Sequence, residues 1–200
     1  MRVLLILLLL LPVEHLAPDK GFRMSDRILF VVDTSGSMTG LTADACDSVL
    51  LIAESPVDGF QIGLITFDDT PTRWKGLPEC KHKGKKHNKD CVLPGWCLMP
   101  KDHKEFRRYL QYSSSPTGYT DAPLAIETAM KDTTPGLTIV LVTDGDFNHD
   151  SLVKKITEIN AMRAKKKLPR IYILVWGVGA GAAKLVDVAK VGGGGLWSGK

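Results

Sequence analysis

The sequence predicts an α/β fold of the doubly wound kind, a mostly parallel sheet covered by helices on both faces. Continuous apolar runs, the pattern of strands buried on both faces, recur along the chain. Segments with helical spacing separate these runs, and the alternation favours parallel strands joined by crossover helices. The chain has 200 residues, 44% hydrophobic and 24% charged, so one globular domain is expected.

The apolar runs predict the strands of this sheet. The expected central strands are RILFVV at 27–32, FQIGLITF at 60–67, LTIVLVTDG at 137–145 and RIYILVWGVG at 170–179. PTRWKG at 71–76 opens with a proline, which is typical of an edge strand. The glycine-rich stretch GGGGLWSGK has room for one further small strand.

Helical spacing and start signals predict the helices. Asp121 and Pro123 mark the beginning of one helix, and either Asp150 or Ser151 would cap a later, longer one. The apolar residues of that longer helix are expected to face inward. The expected helices are 42–55, a short one through Phe106 and Leu110, about 121–131, about 151–163 and 182–190.

The first residues are typical of an export signal. Arg2 is followed by VLLILLLLLPV, an apolar run of signal-peptide length that is too short to span a bilayer. We therefore expect a signal peptide at 1–17, a linker at 18–26 and a secreted or periplasmic protein. No later segment is long and apolar enough for stable membrane insertion, and the mild net charge of +4 does not indicate a nucleic-acid partner.

A basic, cysteine-bearing stretch at about 78–103 interrupts the alternation. Its lysine cluster indicates a solvated loop or, alternatively, a docking patch for an acidic partner. Outside the cytosol its cysteines could form disulfides, and a zinc site is a further alternative although no C-x-x-C spacing is present. Cys46 shares a helical face with apolar residues and could instead be a buried thiol. The four cysteines, whose pairing is left open, are Cys46, Cys80, Cys91 and Cys97.

Small oxygen-bearing side chains occur in three loops that are expected at one edge of the sheet. Asp33, Ser35 and Ser37 come at the end of the first strand, Thr120 lies just before a helix, and Asp144 ends a later strand. Each alone has an ordinary interpretation as a turn or helix-cap residue. Together they offer two carboxylates and three hydroxyls at the sheet edge where ligands bind, and such hard donors suit a divalent cation.

With these residues the sequence resembles a known family. DTSGS at 33–37, with Thr120 and Asp144, is similar to the three motifs of the von Willebrand factor A-type domain, the fold of integrin I domains. The resemblance places this domain at 27–200, with the basic stretch as an insertion. It implies a Rossmann-like, doubly wound, six-stranded sheet with one antiparallel edge strand, for which 71–76 is the candidate.

The family resemblance also implies a metal-ion-dependent adhesion site. Ser35 and Ser37 would ligate Mg²⁺ through their hydroxyls, with Mn²⁺ or Ca²⁺ as alternatives. Thr120 would be a direct ligand when a partner is bound, and Asp33 and Asp144 would act mostly through water. The open coordination position would take an Asp or Glu carboxylate from a protein partner.

The resulting expectation is an exported, metal-dependent, adhesion-type binding module and not an enzyme. A scaffold domain with an idle metal site is the alternative. Hydrolase and phosphotransferase interpretations lack required residues. Ser35 stands where an aspartyl phosphotransferase needs a second carboxylate, and Asp33 stands where the nucleophile elbow of a hydrolase needs glycine. The identity of the partner and the oligomeric state do not follow from the sequence.

Overall fold

Seven strands form one sheet in the described part of the chain. The computed structural model describes residues 16–20, 22, 24–53, 61–74, 96–98, 103–113, 116–131 and 137–198. The strands are β1 (Arg27–Asp33), β2 (Gln61–Phe67), β3 (Thr72–Arg73), β4 (Trp96–Leu98), β5 (Leu137–Thr143), β6 (Tyr172–Gly177) and β7 (Gly193–Ser198).

Helices connect the strands as the alternation predicts. The α-helices are α1 (Thr42–Ala53), α2 (His103–Ser113), α3 (Ala122–Met130), α4 (His149–Lys165) and α5 (Val186–Gly192). Two 3₁₀ helices, Gly36–Met38 and Gly179–Leu185, follow β1 and β6. The helix predicted at 182–190 is therefore wrong in its bounds. Residues 182–185 belong to the second 3₁₀ helix, and the α-helix begins at Val186 and ends at Gly192.

The order of strands in the sheet is β3–β2–β1–β5–β6–β7. All neighbours from β2 to β7 are parallel, as the buried apolar runs predict. The chain builds outward from β1 to β2 and then returns to β5 on the other side of β1. The order of strands thus reverses between β1 and β5, the position where sheets of this kind bind their ligands.

The antiparallel edge is built from two short strands and not one. β3 pairs with Ile65 and Thr66 of β2, which confirms an antiparallel edge strand within 71–76. β4 pairs with the other end of β2, also antiparallel, and continues the same edge position. The sheet has six strands side by side, as predicted, because β3 and β4 share the edge beside β2. β4 lies in the basic insertion, where no strand was predicted.

Both faces of the sheet are covered, because alternate residues of each strand point to opposite sides. Leu29, Val31 and Ile139 face α3, α4 and α5 in one buried cluster. Phe30 and Val32 face α1 and α2 in the other. The doubly wound α/β architecture is therefore confirmed.

The two helix caps nearest the sheet edge were predicted with different success. Asp121 caps α3 by accepting a hydrogen bond from Leu124 N at 2.9 Å, as expected. The cap of α4 is Asn148, whose side chain accepts from Ser151 N at 2.9 Å. The prediction of Asp150 or Ser151 is wrong because both lie in the first turn, where the backbone N–H groups need an acceptor placed before them.

Part of the predicted leader and linker contacts the far edge of the sheet. Residues 1–15 lie outside the described residues, so the signal peptide stays a prediction. Leu16 forms an isolated antiparallel bridge with Leu196 of β7, and Asp19 N donates to Gly193 O at 3.0 Å. Arg170 forms an ion pair with Asp19 at 2.9 Å. The segment 16–19 is therefore packed against the sheet.

Two further predictions concern cysteine and the membrane. Cys46 is a buried thiol in the cluster under α1, so it is not half of a disulfide. Cys80 and Cys91 lie outside the described residues, as does most of the basic insertion. Within the described ranges no helix has the length and apolar character needed to cross a membrane.

Candidate metal centre

Asp33 joins the ends of the two strands that flank the reversal of strand order. Its side chain is fully buried at the end of β1. Oδ1 accepts a hydrogen bond from Ser35 N at 3.0 Å, and Oδ2 accepts from Thr143 Oγ1 of β5 at 2.6 Å. Both carboxylate oxygens are thus held in fixed directions by neighbouring loops.

The electrostatics of Asp33 favour a bound cation. Burial raises the pKa of this carboxyl, and the nearby Asp144 carboxylate adds to the increase. The hydrogen bonds from Ser35 and Thr143 act in the opposite direction but do not cancel it. In the described part of the chain no lysine or arginine forms an ion pair with Asp33. A buried carboxylate without a counter-charge is costly, and a cation placed beside it would remove that cost.

Ser35 and Ser37 present their hydroxyls to one point. The chain leaves β1 and enters the 3₁₀ helix Gly36–Met38, which brings the two side chains to the same side. Their Oγ atoms lie 3.0 Å apart. Ser35 is buried whereas Ser37 is exposed, so the pair connects the buried carboxylate to the surface.

The loop that carries Thr120 lies directly against this serine turn. Gly36 N donates to Gly118 O at 3.2 Å, and Thr117 N donates to Thr34 O at 2.9 Å. Gly118 has φ +65°, and a Cβ there would lie 3.0 Å from the carboxylate of Asp69. Glycine is therefore required for the loop to make this turn so close to its neighbour.

Thr120 has a hydroxyl that is available to a ligand. The cap of α3 is Asp121, so the alternative interpretation of Thr120 as a helix cap is wrong. Its hydroxyl makes no hydrogen bond in the described structure. The adjacent Tyr119 is 86% exposed, which leaves an aromatic ring in solvent beside this position.

Asp144 follows β5 and is half-buried. One carboxylate oxygen, Oδ1, accepts from Asp146 N at 3.0 Å. Gly181 of the second 3₁₀ helix packs directly against the backbone of this loop, and a Cβ at Gly181 would lie 1.7 Å from Asp144 O. Only glycine fits this approach, so the position of Asp144 depends on residue 181.

Three loops thus converge at the carboxyl edge of the sheet. Asp33 bonds to the Ser35 backbone, the two serine hydroxyls touch, and the Thr120 loop is bonded to the serine turn. Asp144 is close enough to raise the pKa of Asp33. Across the described ranges no group of three or more His, Cys, Asp or Glu residues has a metal-binding arrangement. The candidate donors are instead two carboxylates and three hydroxyls.

Sequence reasoning missed the residues that hold this centre in place. Thr143 orients Asp33, while Asp68 and Asp69 bind the loop of Thr120 by accepting from Thr117 Oγ1 and Tyr119 N. A signal for the two acids was present, because both directly follow β2 and therefore lie at the same edge of the sheet. Thr143 gave no signal, since a threonine inside a buried strand is ordinary.

Solved structures share this fold, although no family model and no curated protein matches the sequence. Among solved structures, a von Willebrand factor type A protein from Catenulispora acidiphila matches with a TM-score of 0.54 and 15% identity, over 84% of this chain and 37% of that one. An aerotolerance-related membrane protein from Bacteroides fragilis, carrying multiple mutations to serines, matches with a TM-score of 0.54 and 18% identity, over 84% and 88%.

A third structure, proximal thread matrix protein 1 of the mussel byssus, has a TM-score of 0.54 and 15% identity, over 86% of this chain and 42% of that protein. The chain therefore spans less than half the length of two of these proteins. Identities of 15–18% establish the fold alone. This chain has a von Willebrand factor A-like fold, as the spaced motifs indicate.

Proposed function

We propose that this chain is an exported protein-binding module of the adhesion type, with a divalent cation at the centre built by Asp33, Ser35, Ser37, Thr120 and Asp144. When bound, Mg²⁺ would supply a coordination position for an Asp or Glu carboxylate of a partner protein. Ser35 and Ser37 would hold the ion through their hydroxyls. Asp33 and Asp144 would balance its charge, mostly through water.

The observation that carries this proposal is the 3.0 Å separation of the two serine Oγ atoms beside a buried carboxylate. Mg²⁺ binds oxygen at about 2.0–2.1 Å in octahedral geometry, so neighbouring ligands lie about 2.9 Å apart. The two serine hydroxyls are hydrogen-bonded to each other at a distance close to that ligand spacing, so an ion could replace this hydrogen bond with little movement of the turn. The donors are all hard oxygens, which Mg²⁺ and Mn²⁺ prefer over softer ligands.

Thr120 fits the role of a ligand that changes with the partner. Its hydroxyl has no partner within the described residues, so it can move without breaking a protein hydrogen bond. The loop backbone, in contrast, is anchored to Thr34, Gly36 and Asp69. A side chain that is free to reorient on a fixed loop allows a partner's carboxylate to enter without rebuilding the site.

Titration calorimetry with Mg²⁺ and Mn²⁺ tests the metal proposal. We expect heat of binding for the wild-type protein and none for Asp33→Ala or Ser35→Ala. The matched control is Asp47→Ala, which removes an exposed carboxylate from α1 and should bind like the wild type. Absence of binding heat in the wild-type protein would refute the proposal.

Partner capture tests the second half of the proposal. The mature protein would be immobilised and exposed to the native secreted proteins, with Mg²⁺ or with EDTA. A protein retained only with Mg²⁺, and not by Asp33→Ala, is the expected result. A partner retained equally in EDTA would favour the scaffold alternative or a contact through the basic insertion. Phosphatase and esterase assays on the same material address the enzyme alternatives.

A further inference from the structure

A second candidate site lies at the other end of the helical layer. A cavity of about 390 Å³ opens between α3 and α4. Both helices begin at the candidate metal centre, after Asp121 and Asn148, and run away from it. The cavity is lined by the last turn of α3 and the second half of α4, so it is separate from that centre.

Arg163 places a positively charged guanidinium group in the wall of this cavity. It lines the cavity and is only 8% exposed. Its Nε donates to Pro169 O at 3.0 Å. The terminal guanidinium nitrogens have no hydrogen bond or ion pair elsewhere in the described structure. These nitrogens are not among the fully buried unpartnered atoms of the described residues, so they remain open to the cavity, where an anion could accept charge-assisted hydrogen bonds from them.

The remaining charges of the cavity also favour an anion. Glu127 is already shared by Lys131 at 3.3 Å and Lys155 at 3.0 Å. The other lining charges are Glu158, Arg163 and Lys166, which makes four cations and two carboxylates in all. The excess is positive, and the exposed Lys165 and Lys167 beside it add to the attraction for an anion.

The rest of the lining is apolar and partly in solvent. Met130 and Ile159 are buried at the base, whereas Met162 and Leu168 are 48% and 42% exposed. Covering these two side chains would remove apolar surface from water, which is favourable. Methionine adapts its shape to different apolar ligands, so the base of the cavity suits a flexible chain.

We propose that this cavity binds a small amphipathic carboxylate. The carboxylate would pair with Arg163 and Lys166, and the apolar body would cover Met162 and Leu168. The volume lies within the range of roughly 300–1,000 Å³ that is typical of small-molecule sites. A single buried guanidinium at an apolar cavity matches one anionic group on an apolar body better than an acidic protein segment, which would carry several charges. This inference is independent of the metal centre.

Decanoate is the probe, and amide chemical shifts of the ¹⁵N-labelled full chain report its binding. The titration is done in EDTA, so that a carboxylate cannot bind through a metal at the candidate metal centre. We expect saturable shifts at residues of α3 and α4 that line the cavity. Decyltrimethylammonium, which has the same tail and the opposite charge, should bind at least about tenfold more weakly.

Two variants and one control assign the binding to the cavity. Arg163→Met keeps the length and packing of the side chain but removes its charge, and it should weaken decanoate at least about tenfold. Lys166→Glu acts at an exposed position that the fold does not need, and it should weaken decanoate even if Arg163→Met unfolds. Lys154→Glu changes an exposed lysine of α4 outside the cavity and should bind like the wild type.

Four results would overturn the proposal. One is the absence of shifts at millimolar decanoate. Another is equal binding of the cationic probe. The third is equal binding to the wild type and to Lys166→Glu. Displacement of decanoate by a Glu-rich amphipathic peptide of higher affinity would also overturn it, because the cavity would then be a protein-docking surface.

Discussion

Two buried charges of opposite sign stand at opposite ends of the helices α3 and α4. Asp33 is fully buried at the carboxyl edge of the sheet, and Arg163 is almost fully buried at the far end of α4. Neither has an ion-pair partner in the part of the chain that the structure describes. Burial disfavours the charged form of Asp33, whereas the terminal nitrogens of Arg163 stay open to a cavity, so each side chain is a place where a ligand of opposite charge would gain affinity.

The two charges differ in how firmly they are held. Asp33 has both oxygens fixed by hydrogen bonds, and the loops around it are joined by backbone bonds. Arg163 is held through one nitrogen, in a cavity whose lining includes two methionines. A fixed set of hard donors suits an ion with strict geometry, whereas an adaptable cavity suits a flexible organic anion. Asp33 therefore belongs to a preorganised centre, whereas Arg163 lines a deformable cavity.

The substitution with the largest expected effect disrupts the candidate metal centre and leaves the cavity beside Arg163 intact. Gly181→Ala would place a methyl group 1.7 Å from Asp144 O, so the loop must move. We expect a loss of about 3 kcal/mol in the free energy of unfolding, measured in urea, together with loss of Mg²⁺ binding. Decanoate binding should persist below the unfolding transition. Full stability with unchanged Mg²⁺ affinity would show that residue 181 does not position Asp144.

Metal should stabilise the folded chain through Asp33 and not through Arg163. With Mg²⁺ at 100 times its dissociation constant, the wild-type protein should gain about 2.7 kcal/mol over the protein in EDTA. Arg163→Met should gain the same amount, and Asp33→Ala should gain nothing. Thermal unfolding of the three proteins measures this difference. An equal gain in Asp33→Ala would place the metal elsewhere.

In the metal-free protein, the charge on Asp33 should lower stability at neutral pH. Because burial raises its pKa above the ordinary value of 3.8, its stabilising contribution is present below that value. The contribution is lost as the pH rises through the raised pKa of the folded state. Asp33→Asn should therefore be more stable than the wild type at pH 7 in EDTA, by on the order of 1 kcal/mol, and similar at pH 3.

Urea unfolding at the two pH values tests this sign. The matched control is Asp47→Asn, an exposed carboxylate on α1, which should change stability little at either pH. A variant less stable than the wild type at neutral pH would mean that the hydrogen bonds from Ser35 and Thr143 outweigh desolvation.

The smallest expected effect separates a structural residue from a ligand residue on one loop. Asp121→Ala removes the cap of α3 and should lower stability by about 1 kcal/mol. Thr120→Ala removes a hydroxyl without a protein partner, so it should leave stability unchanged within about 0.5 kcal/mol. It should nevertheless weaken partner binding in Mg²⁺. A cost for Thr120→Ala equal to that for Asp121→Ala would contradict the assignment of the cap.

The sequence predicted regular elements better than local detail. The strands could be predicted because continuous apolar runs such as 27–32 and 170–179 are typical of strands that are buried on both faces of a sheet. The cap of α4 could not be predicted, because Asn148, Asp150 and Ser151 all offer cap side chains within four residues. β4 could not be predicted either, since three residues in a polar insertion show no periodicity.

The candidate site shows the same division. The types and places of Asp33, Ser35, Ser37, Thr120 and Asp144 were apparent from strand ends and from the family resemblance. Their support was not apparent, because the bond from Thr143 to Asp33 joins residues 110 positions apart. The cavity beside Arg163 was also invisible, since a basic residue on an amphipathic helix is ordinarily exposed.

By itself, the sequence determined the α/β class, the parallel order of buried runs and the three loops that carry oxygen-bearing side chains. These follow from the side-chain period and from composition, which act locally along the chain. Only the tertiary structure decided that the serine hydroxyls meet beside a buried carboxylate, that Gly181 packs against Asp144 and that Arg163 lines a cavity without an ion-pair partner in the described residues. Those features depend on contacts between distant segments, and burial and electrostatics exist only after the segments have packed.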